Sequence, residues 1–236
     1  MELVELESQF VDIGGSFLSS AYDMRDKLKQ IKAFLFDWDG VFNSGSKLGN
    51  EGSPFSEVDS AGLRMLRYGQ YRSTGEIPLL GVITGAKNPS AAGLLESHGG
   101  DVLYQKAIHK SKALEHFCKE FQLKPSQVCY VYDDVLDLDV AAQVGLRFCV
   151  GRLANPIFLG LVSGSGLADY ISACQGNEHA VREICELNLA LMGQYEQVTQ
   201  EVMHRSGHYA EYNKEVKQRP LKKFEYRDKE ILLVED

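Results

Sequence analysis

Short apolar segments alternate with amphipathic ones from Ile31 to Ala173. The apolar segments are IKAFLFD, PLLGVIT, DVLYQ, QVCYVYD, LRFCV and ADYISA, and they are nearly continuous in apolar residues, as strands buried on both faces are. Helical spacing between them predicts helices over 61–69, 89–99, 110–121 and 136–144. This alternation predicts an α/β fold with a doubly wound, Rossmann-like parallel sheet covered by helices on both faces.

Several segments lie outside this alternation. Residues 41–58, VFNSGSKLGNEGSPFSEV, are rich in turn formers and predict a β-hairpin flap directly after the first strand. Residues 1–30 predict a helical extension of one or two short helices broken at Gly14-Gly15. The main domain is expected over 31–200. A long amphipathic helix is predicted over 179–203. Residues 201–236 are expected to form a tail that is either disordered or an arm ordered on a partner subunit.

The composition narrows the class of protein. The chain has 236 residues, of which 44% are hydrophobic, and a net charge of -8, which argues against a nucleic-acid partner. No apolar run approaches the about 20 residues needed to cross a bilayer, so no membrane partner is expected. The five cysteines are widely spaced and predict buried reduced thiols. Together with an acidic N-terminus that lacks the order of a signal peptide, these features predict a soluble cytoplasmic protein.

Polar residues end successive predicted strands or open the helix that follows. They are Asp37, Asp39, Thr84, Gly85, Lys110, Asp133, Asp134 and Asp137. Because ligands bind at the carboxyl ends of the strands in an open parallel sheet, we expect these residues to lie at one edge.

This set of residue types suits phosphoryl transfer. Converging carboxylates repel one another unless a hard cation neutralises them, and Mg²⁺ prefers such oxygen ligands. Asp37 can attack phosphorus and form an aspartyl-phosphate. Asp39 can protonate the leaving oxygen and then activate water. Thr84 and the Gly85 backbone N–H can hold the transferring oxygens, while Lys110 balances their charge.

The same residues carry a resemblance to a known family. DWDGVFNSG, ITG, the helix opened by Lys110 and YDDVLDLDVAAQVG resemble, in order, the four motifs of the haloacid-dehalogenase-like phosphatases. GNEG, Phe55, Asp59, LYQ and HAVREICEL are similar to the small capless branch typified by 3-deoxy-D-manno-octulosonate 8-phosphate phosphatase. The resemblance covers about residues 31–195.

The resemblance implies an Mg²⁺-dependent phosphoric monoester hydrolase without a large cap domain. It implies Asp37 as nucleophile, Asp39 as acid/base, and Asp37, the Asp39 backbone carbonyl and Asp133 as metal ligands, with Asp134 and Asp137 supporting. Members of the branch are typically homotetramers in which a neighbouring subunit helps close the site. The implied substrate is a small sugar-acid phosphate, 3-deoxy-D-manno-octulosonate 8-phosphate or a related nonulosonate 9-phosphate, which implies a role in lipopolysaccharide biosynthesis.

Three positions depart from the branch. Tyr132 stands where a glycine is usual and can narrow the site or shift Asp133, Val58 stands where an arginine is usual, and Ala86 follows ITG. These departures keep two alternatives open. One is a phosphatase for another small phosphate ester, and the other is a catalytically weak relative that acts as a binding or assembly module.

Overall fold

A nine-stranded sheet runs through the computed structural model, which describes residues 2–46 and 52–234. The strands are β1 Ser16–Phe17, β2 Ala33–Phe36, β3 Leu79–Ile83, β4 Val102–Gln105, β5 Val128–Tyr132, β6 Leu146–Cys149, β7 Tyr170–Ile171, β8 Lys222–Arg227 and β9 Glu230–Leu233. Their order is β1-β7-β6-β5-β2-β3-β4-β8-β9. Only the outermost pairs, β1 with β7 and β8 with β9, are antiparallel within the described residues. The predicted doubly wound parallel sheet is confirmed.

Helices cover both faces of this sheet. They are α1 Leu3–Asp12, α2 Ala21–Leu28, α3 Glu57–Thr74, α4 Pro89–Ser97, α5 Lys110–Glu120, α6 Leu138–Ala141, α7 Pro156–Ser165, α8 Ala180–Leu191, α9 Tyr195–His204 and α10 Tyr209–Val216. The start of α4 shows how local sequence sets a boundary. The Asn88 side chain accepts hydrogen bonds from the backbone N–H groups of Ser90 and Ala91, and Pro89 occupies the first helical turn.

The two sides of β2 explain why the central strands are apolar throughout. Phe34 and Phe36 pack on one face into a core shared with α3 and α8, whereas Ala33 and Leu35 pack on the other face into a core shared with α5 and α6. All four residues are buried. Since successive side chains of a strand point to opposite faces, a strand covered on both sides has no polar position.

The predicted flap falls partly outside the described residues, because its centre at 47–51 is not among them. The described flanks, residues 41–46 and 52–56, contain turns and irregular chain with no strand. Helix α3 begins at Glu57, so the last two residues of the expected flap are helical. The hairpin itself stays a prediction.

The C-terminal region differs from its prediction in two ways. The single helix expected over 179–203 is wrong: α8 ends at Leu191, Gly193 adopts a φ of 66°, and α9 begins at Tyr195. The expectation of a disordered tail is also wrong, because β8 pairs in parallel with β4 and extends the sheet of its own chain. An additional contact of this tail with a partner subunit stays a prediction.

Two expectations from composition have structural counterparts. All five cysteines are free, and only Cys174 is partly exposed. In residues 2–46 and 52–234, no helix combines the length and the apolar character needed to cross a membrane.

Candidate active site

Three buried carboxylates meet at the carboxyl ends of β2 and β5. Asp37 directly follows β2, and its backbone N–H donates to the carbonyl of Val131 at 2.8 Å. Asp133 directly follows β5, and Asp137 ends the short 3₁₀ turn that comes next. One oxygen from each of the three carboxylates lies within 4.8 Å of the others. The predicted convergence of the first and fourth acidic motifs is thus present in the fold.

Lys110 links two of these carboxylates. It is the first residue of α5, its side chain is 6% exposed, and its Nζ lies 2.6 Å from an oxygen of Asp37 and 2.6 Å from Oδ1 of Asp137. The Tyr130 hydroxyl donates to the same Asp137 oxygen at 2.5 Å. Asp137 is therefore held by two donors and in turn fixes the ammonium group beside Asp37.

Burial dominates the electrostatics of this cluster. Burial, reinforced by the charge of Asp137, raises the pKa of Asp37 well above its usual range, although Lys110 opposes the shift. Burial also raises the pKa of Asp133 to about 6, against the opposing charge of Arg152. For Lys110, burial alone lowers the pKa, but Asp37 and Asp137 together outweigh it and the pKa lies above its usual value. The three carboxylates of the cluster therefore carry more negative charge than Lys110 and Arg152 neutralise.

Arg152 was not anticipated from the sequence. It lies just beyond the carboxyl end of β6, and its Nη2 is 2.5 Å from Oδ2 of Asp133. Its sequence signal is the GR that follows the strand LRFCV, because ligands bind at the carboxyl ends of the strands in an open parallel sheet. Gly40 fits tightly against this pair: it has a φ of 90°, and an added Cβ would lie 2.0 Å from Oδ2 of Asp133.

The side chain of Asp39 is held by Ser53. Its Oδ1 accepts a hydrogen bond from the Ser53 hydroxyl at 2.5 Å. The Trp38 indole N–H donates to the Ser53 carbonyl at 3.1 Å, and the indole stacks on Phe42 with ring centroids 4.7 Å apart. The fully buried Trp38 therefore anchors the segment that orients Asp39. Ser53 carries no sequence signal of its own, because its contact joins two residues that are 14 positions apart in the chain.

Thr84 and Gly85 lie at the carboxyl end of β3. Thr84 is buried, and its backbone N–H donates to the carbonyl of Tyr104 at 2.9 Å while its own carbonyl accepts from the Ala107 N–H at 3.0 Å. Gly85 is exposed, and an added Cβ there would meet nothing within 4 Å. The main chain at this strand end is thus fixed on one side and open on the other.

Two residues of the fourth motif point away from the carboxylate cluster. The exposed Asp134 accepts a hydrogen bond from the backbone N–H of Val135 at 2.7 Å and so caps the 3₁₀ turn. Tyr132 is fully buried, its hydroxyl donates to the Leu167 carbonyl at 2.9 Å, and its ring stacks on Tyr130. The expectation that Tyr132 narrows the site is wrong, because its side chain packs into the core between the sheet and the helices.

The donor set fits a hard divalent cation. Among the described residues, Oδ1 of Asp133 is buried and has no hydrogen-bond partner. A buried oxygen of this kind is costly unless something binds it. Three carboxylates face Lys110 and Arg152, so one further positive charge is favoured there, and carboxylate oxygens are the ligands that Mg²⁺ prefers.

A doubly wound sheet with aspartates and a lysine gathered at its carboxyl edge defines the class of haloacid-dehalogenase-like hydrolases. No family model matches the sequence. The 3-deoxy-D-manno-octulosonate 8-phosphate phosphatase of Yersinia pestis is 32% identical over 187 residues, which are 76% of this chain and 90% of the relative. The chain therefore belongs to the 3-deoxy-D-manno-octulosonate 8-phosphate phosphatase family and is a phosphoric monoester hydrolase.

Solved structures agree with this assignment. A probable YrbI family phosphatase from Pseudomonas syringae pv. phaseolica has a TM-score of 0.63 and 30% identity, and the match covers 79% of this chain and 99% of that one. The corresponding phosphatase from Moraxella catarrhalis, solved with magnesium, phosphate and KDO, has a TM-score of 0.62 and 25% identity over 76% of this chain and 98% of that one.

Proposed function

We propose that this chain hydrolyses 3-deoxy-D-manno-octulosonate 8-phosphate, or a related nonulosonate 9-phosphate, with Mg²⁺ as cofactor. The observation that carries the proposal is the carboxylate cluster: Lys110 lies between Asp37 and Asp137, and the unpartnered oxygen of Asp133 is beside them. The names of the relatives support the substrate class, and the magnesium and KDO in the Moraxella catarrhalis structure support both cofactor and substrate.

In the first half of the reaction, a carboxylate oxygen of Asp37 attacks phosphorus as the bond to the sugar oxygen breaks. Asp39 gives its proton to the departing oxygen, so the sugar acid leaves as an alcohol. The hydrogen bond from Ser53 keeps the Asp39 carboxyl oriented for this transfer. In the second half, Asp39 takes a proton from water, the oxygen of that water attacks phosphorus, and phosphate departs with both Asp37 oxygens restored.

The other residues of the site position the phosphate and offset its negative charge. The Thr84 hydroxyl and the Gly85 N–H hold the transferring oxygens, while Lys110 offsets their charge. Asp37, the Asp39 backbone carbonyl and Asp133 would hold Mg²⁺, which when bound supplies positive charge that offsets the repulsion between the carboxylates and the phosphate.

The test compares the wild-type protein with Asp37→Asn and with Asp139→Asn, an exposed aspartate on α6 that serves as matched control. Phosphate release is measured with and without Mg²⁺ on a panel of sugar and sugar-acid phosphates. Asp37→Asn should lower kcat by about 10⁴-fold or more, as loss of a nucleophile does, and Asp139→Asn should leave it unchanged. Brief reaction with ³²P-labelled substrate should label the wild-type chain in a form that hydroxylamine removes, and should not label Asp37→Asn.

The outcomes separate the alternatives. Faster phosphate release from another ester on the panel would contradict the proposed substrate but would still show that the protein is a phosphatase. Release of phosphate without a labelled chain would contradict the aspartyl-phosphate. No release from any ester would favour a binding or assembly module.

We also propose that the protein is a cytoplasmic homotetramer. Its free cysteines suit a reducing compartment. Leu153, just before α7, is 90% exposed, and Ile157, within α7, is 86% exposed. Burial between copies of the chain would remove both side chains from water. Light scattering on the eluted protein should give four times the mass of one chain, and a monomeric mass would contradict the assembly.

A further inference from the structure

A cavity of about 450 Å³ is lined by residues of α3, the end of α4, α9 and α10. Its lining includes Leu80, near the start of β3, whereas Thr84 follows the other end of that strand. At about 3.3 Å per residue, these two positions are roughly 13 Å apart. The cavity is therefore separate from the carboxylate site, and its volume lies within the range of about 300–1,000 Å³ typical of small-molecule sites.

The charge of the lining is opposite to that of the protein. The lining includes Arg64, Arg67, Arg205 and Lys217, and none of the described residues that line it is an aspartate or glutamate. The chain as a whole has a net charge of -8. Four cations gathered around one concave surface of an acidic protein are a local reversal of charge.

Arg67 already has its partners. Its guanidinium donates to the carbonyls of Pro78, His98 and Gly99 and lies 2.6 Å from Oδ2 of Asp101. It thereby satisfies carbonyl groups at the end of α4, where a helix dipole would otherwise present negative charge. Arg67 is thus part of the cavity wall, and its hydrogen bonds satisfy carbonyl groups whose negative partial charge would repel an anion.

The other three cations are uncommitted. Arg64, Arg205 and Lys217 are exposed, and in the part of the chain that the structure describes their side chains make no hydrogen bond or ion pair. Arg64, Arg205 and Tyr209 line the same cavity. Burial raises the pKa of Tyr209, and the charges of Arg64 and Arg205 oppose that shift. Like charges held together without a counter-ion repel one another, so an anion bound among them is favoured.

Two acids near the cavity, Glu57 and Asp101, are not part of its lining. Glu57 acts electrostatically on His98, which does line it. Asp101 is occupied by Arg67 and by Arg219, whose Nε lies 2.7 Å from its Oδ1.

We propose that this cavity is a binding site for a small multivalent anion, of the type of a phosphate or polycarboxylate, held by Arg64, Arg205 and Lys217. Charge-assisted hydrogen bonds from these groups would provide the affinity. Tyr209 and Asn213, which also line the cavity, carry a hydroxyl and an amide that can add neutral donors. The proposal does not depend on the substrate of the carboxylate site. A bound anion would join α3 to α9 and α10, so it should stabilise the folded chain.

The test is calorimetric titration of the full chain with inorganic pyrophosphate and, separately, with citrate, at low ionic strength and without divalent metal. Arg64→Gln/Lys217→Gln removes two cavity cations. Lys119→Gln/Lys214→Gln is the matched control: it removes two exposed lysines outside the lining, one of them on α10 itself. All four substitutions are at exposed helical or helix-end positions, and both variants should fold and keep the phosphatase rate of the wild type.

At least one of the two anions should bind the wild type and the control with equal affinity. Its affinity for the cavity variant should be lower by about tenfold or more. That anion should raise the Tm of the wild type and the control but not that of the cavity variant. Equal affinity in both double variants would mean that the anion binds elsewhere, including at the carboxylate site, and would overturn the proposal. Absence of binding by both anions up to about 10 mM would overturn it as well.

Discussion

Replacing Gly40 by alanine should disturb the active site more than its size suggests. Gly40 has a φ of 90°, a conformation that costs an L-residue about 1–2 kcal/mol. The new Cβ would lie 2.0 Å from Oδ2 of Asp133 and 2.3 Å from Nη2 of Arg152, closer than van der Waals contact allows. Either the loop or this ion pair must therefore move.

The magnitude follows from these two effects. Backbone strain and displacement of a buried, paired carboxylate together should lower the free energy of unfolding by about 2–4 kcal/mol. A displacement of about 1 Å at a catalytic centre can cost about 10²-fold in rate, so kcat/KM should fall by at least that factor. Gly93→Ala is the matched control, because Gly93 is an exposed interior residue of α4 and an added Cβ meets nothing within 4 Å. It should raise stability by about 0.5–1 kcal/mol and leave the rate unchanged.

The assay is urea unfolding of both variants beside the wild type, with kcat/KM for phosphate release measured on the folded proteins over a range of Mg²⁺ concentrations. A Gly40→Ala protein with wild-type stability and wild-type kcat/KM would refute the close packing of Gly40 against Asp133 and Arg152. A loss of stability without loss of rate would show that the loop, and not the ion pair, takes up the displacement.

Two further predictions concern buried polar groups away from the carboxylate cluster. Asp169 is fully buried and bonded to Lys27 and Arg147, at 2.5 Å and 3.1 Å. Burial alone would raise the pKa of Asp169, but its hydrogen bonds and ion pairs outweigh burial and lower it. Its stabilising contribution is thus present above the unfolded pKa of about 3.9 and is lost as pH falls through the lower folded value. Asp169→Asn should lower the free energy of unfolding by about 3–5 kcal/mol at pH 7. It should also flatten the acid limb of the urea midpoint plotted against pH, and an unchanged profile would contradict this role of Asp169. Tyr132→Phe removes the hydroxyl that donates to Leu167, so it should cost about 1 kcal/mol in urea unfolding, while kcat/KM stays at the wild-type value. A large fall in kcat/KM without unfolding would restore a role for Tyr132 at the site.

The sequence predicts the central strands well because burial on both faces leaves a continuous apolar run. The runs at β2, β3 and β5 each end in a polar residue, and parallel strands bring those ends to one edge. The placement of Asp37, Lys110 and Asp137 at one edge follows from that rule together with the start of α5. This placement depends on local pattern and on topology, whereas the 2.6 Å contacts of Lys110 with the two carboxylates are seen only in the structure.

Other features depend on packing that a single sequence does not display. Helix α7 was not predicted because apolar residues such as Ile157, 86% exposed, lie on its outer side and hide the helical period. Strand β8 was not predicted because Phe224 and Glu225 are both buried, so apolar and polar positions do not alternate. Glu225 is accommodated by Lys106, whose Nζ lies 2.8 Å from Oε2 of Glu225.

The position of β8 also connects the C-terminal region to the catalytic edge. β8 pairs with β4 along Val102–Gln105, and the Lys106–Glu225 ion pair continues the contact into the loop that follows. That loop ends at Lys110, the residue that bridges two of the site's carboxylates. Since an unpaired edge at β4 would leave this loop with fewer restraints, β8 supports the position of Lys110 through β4 and the loop. The last strands of the chain are therefore part of the scaffold on which the active site is built.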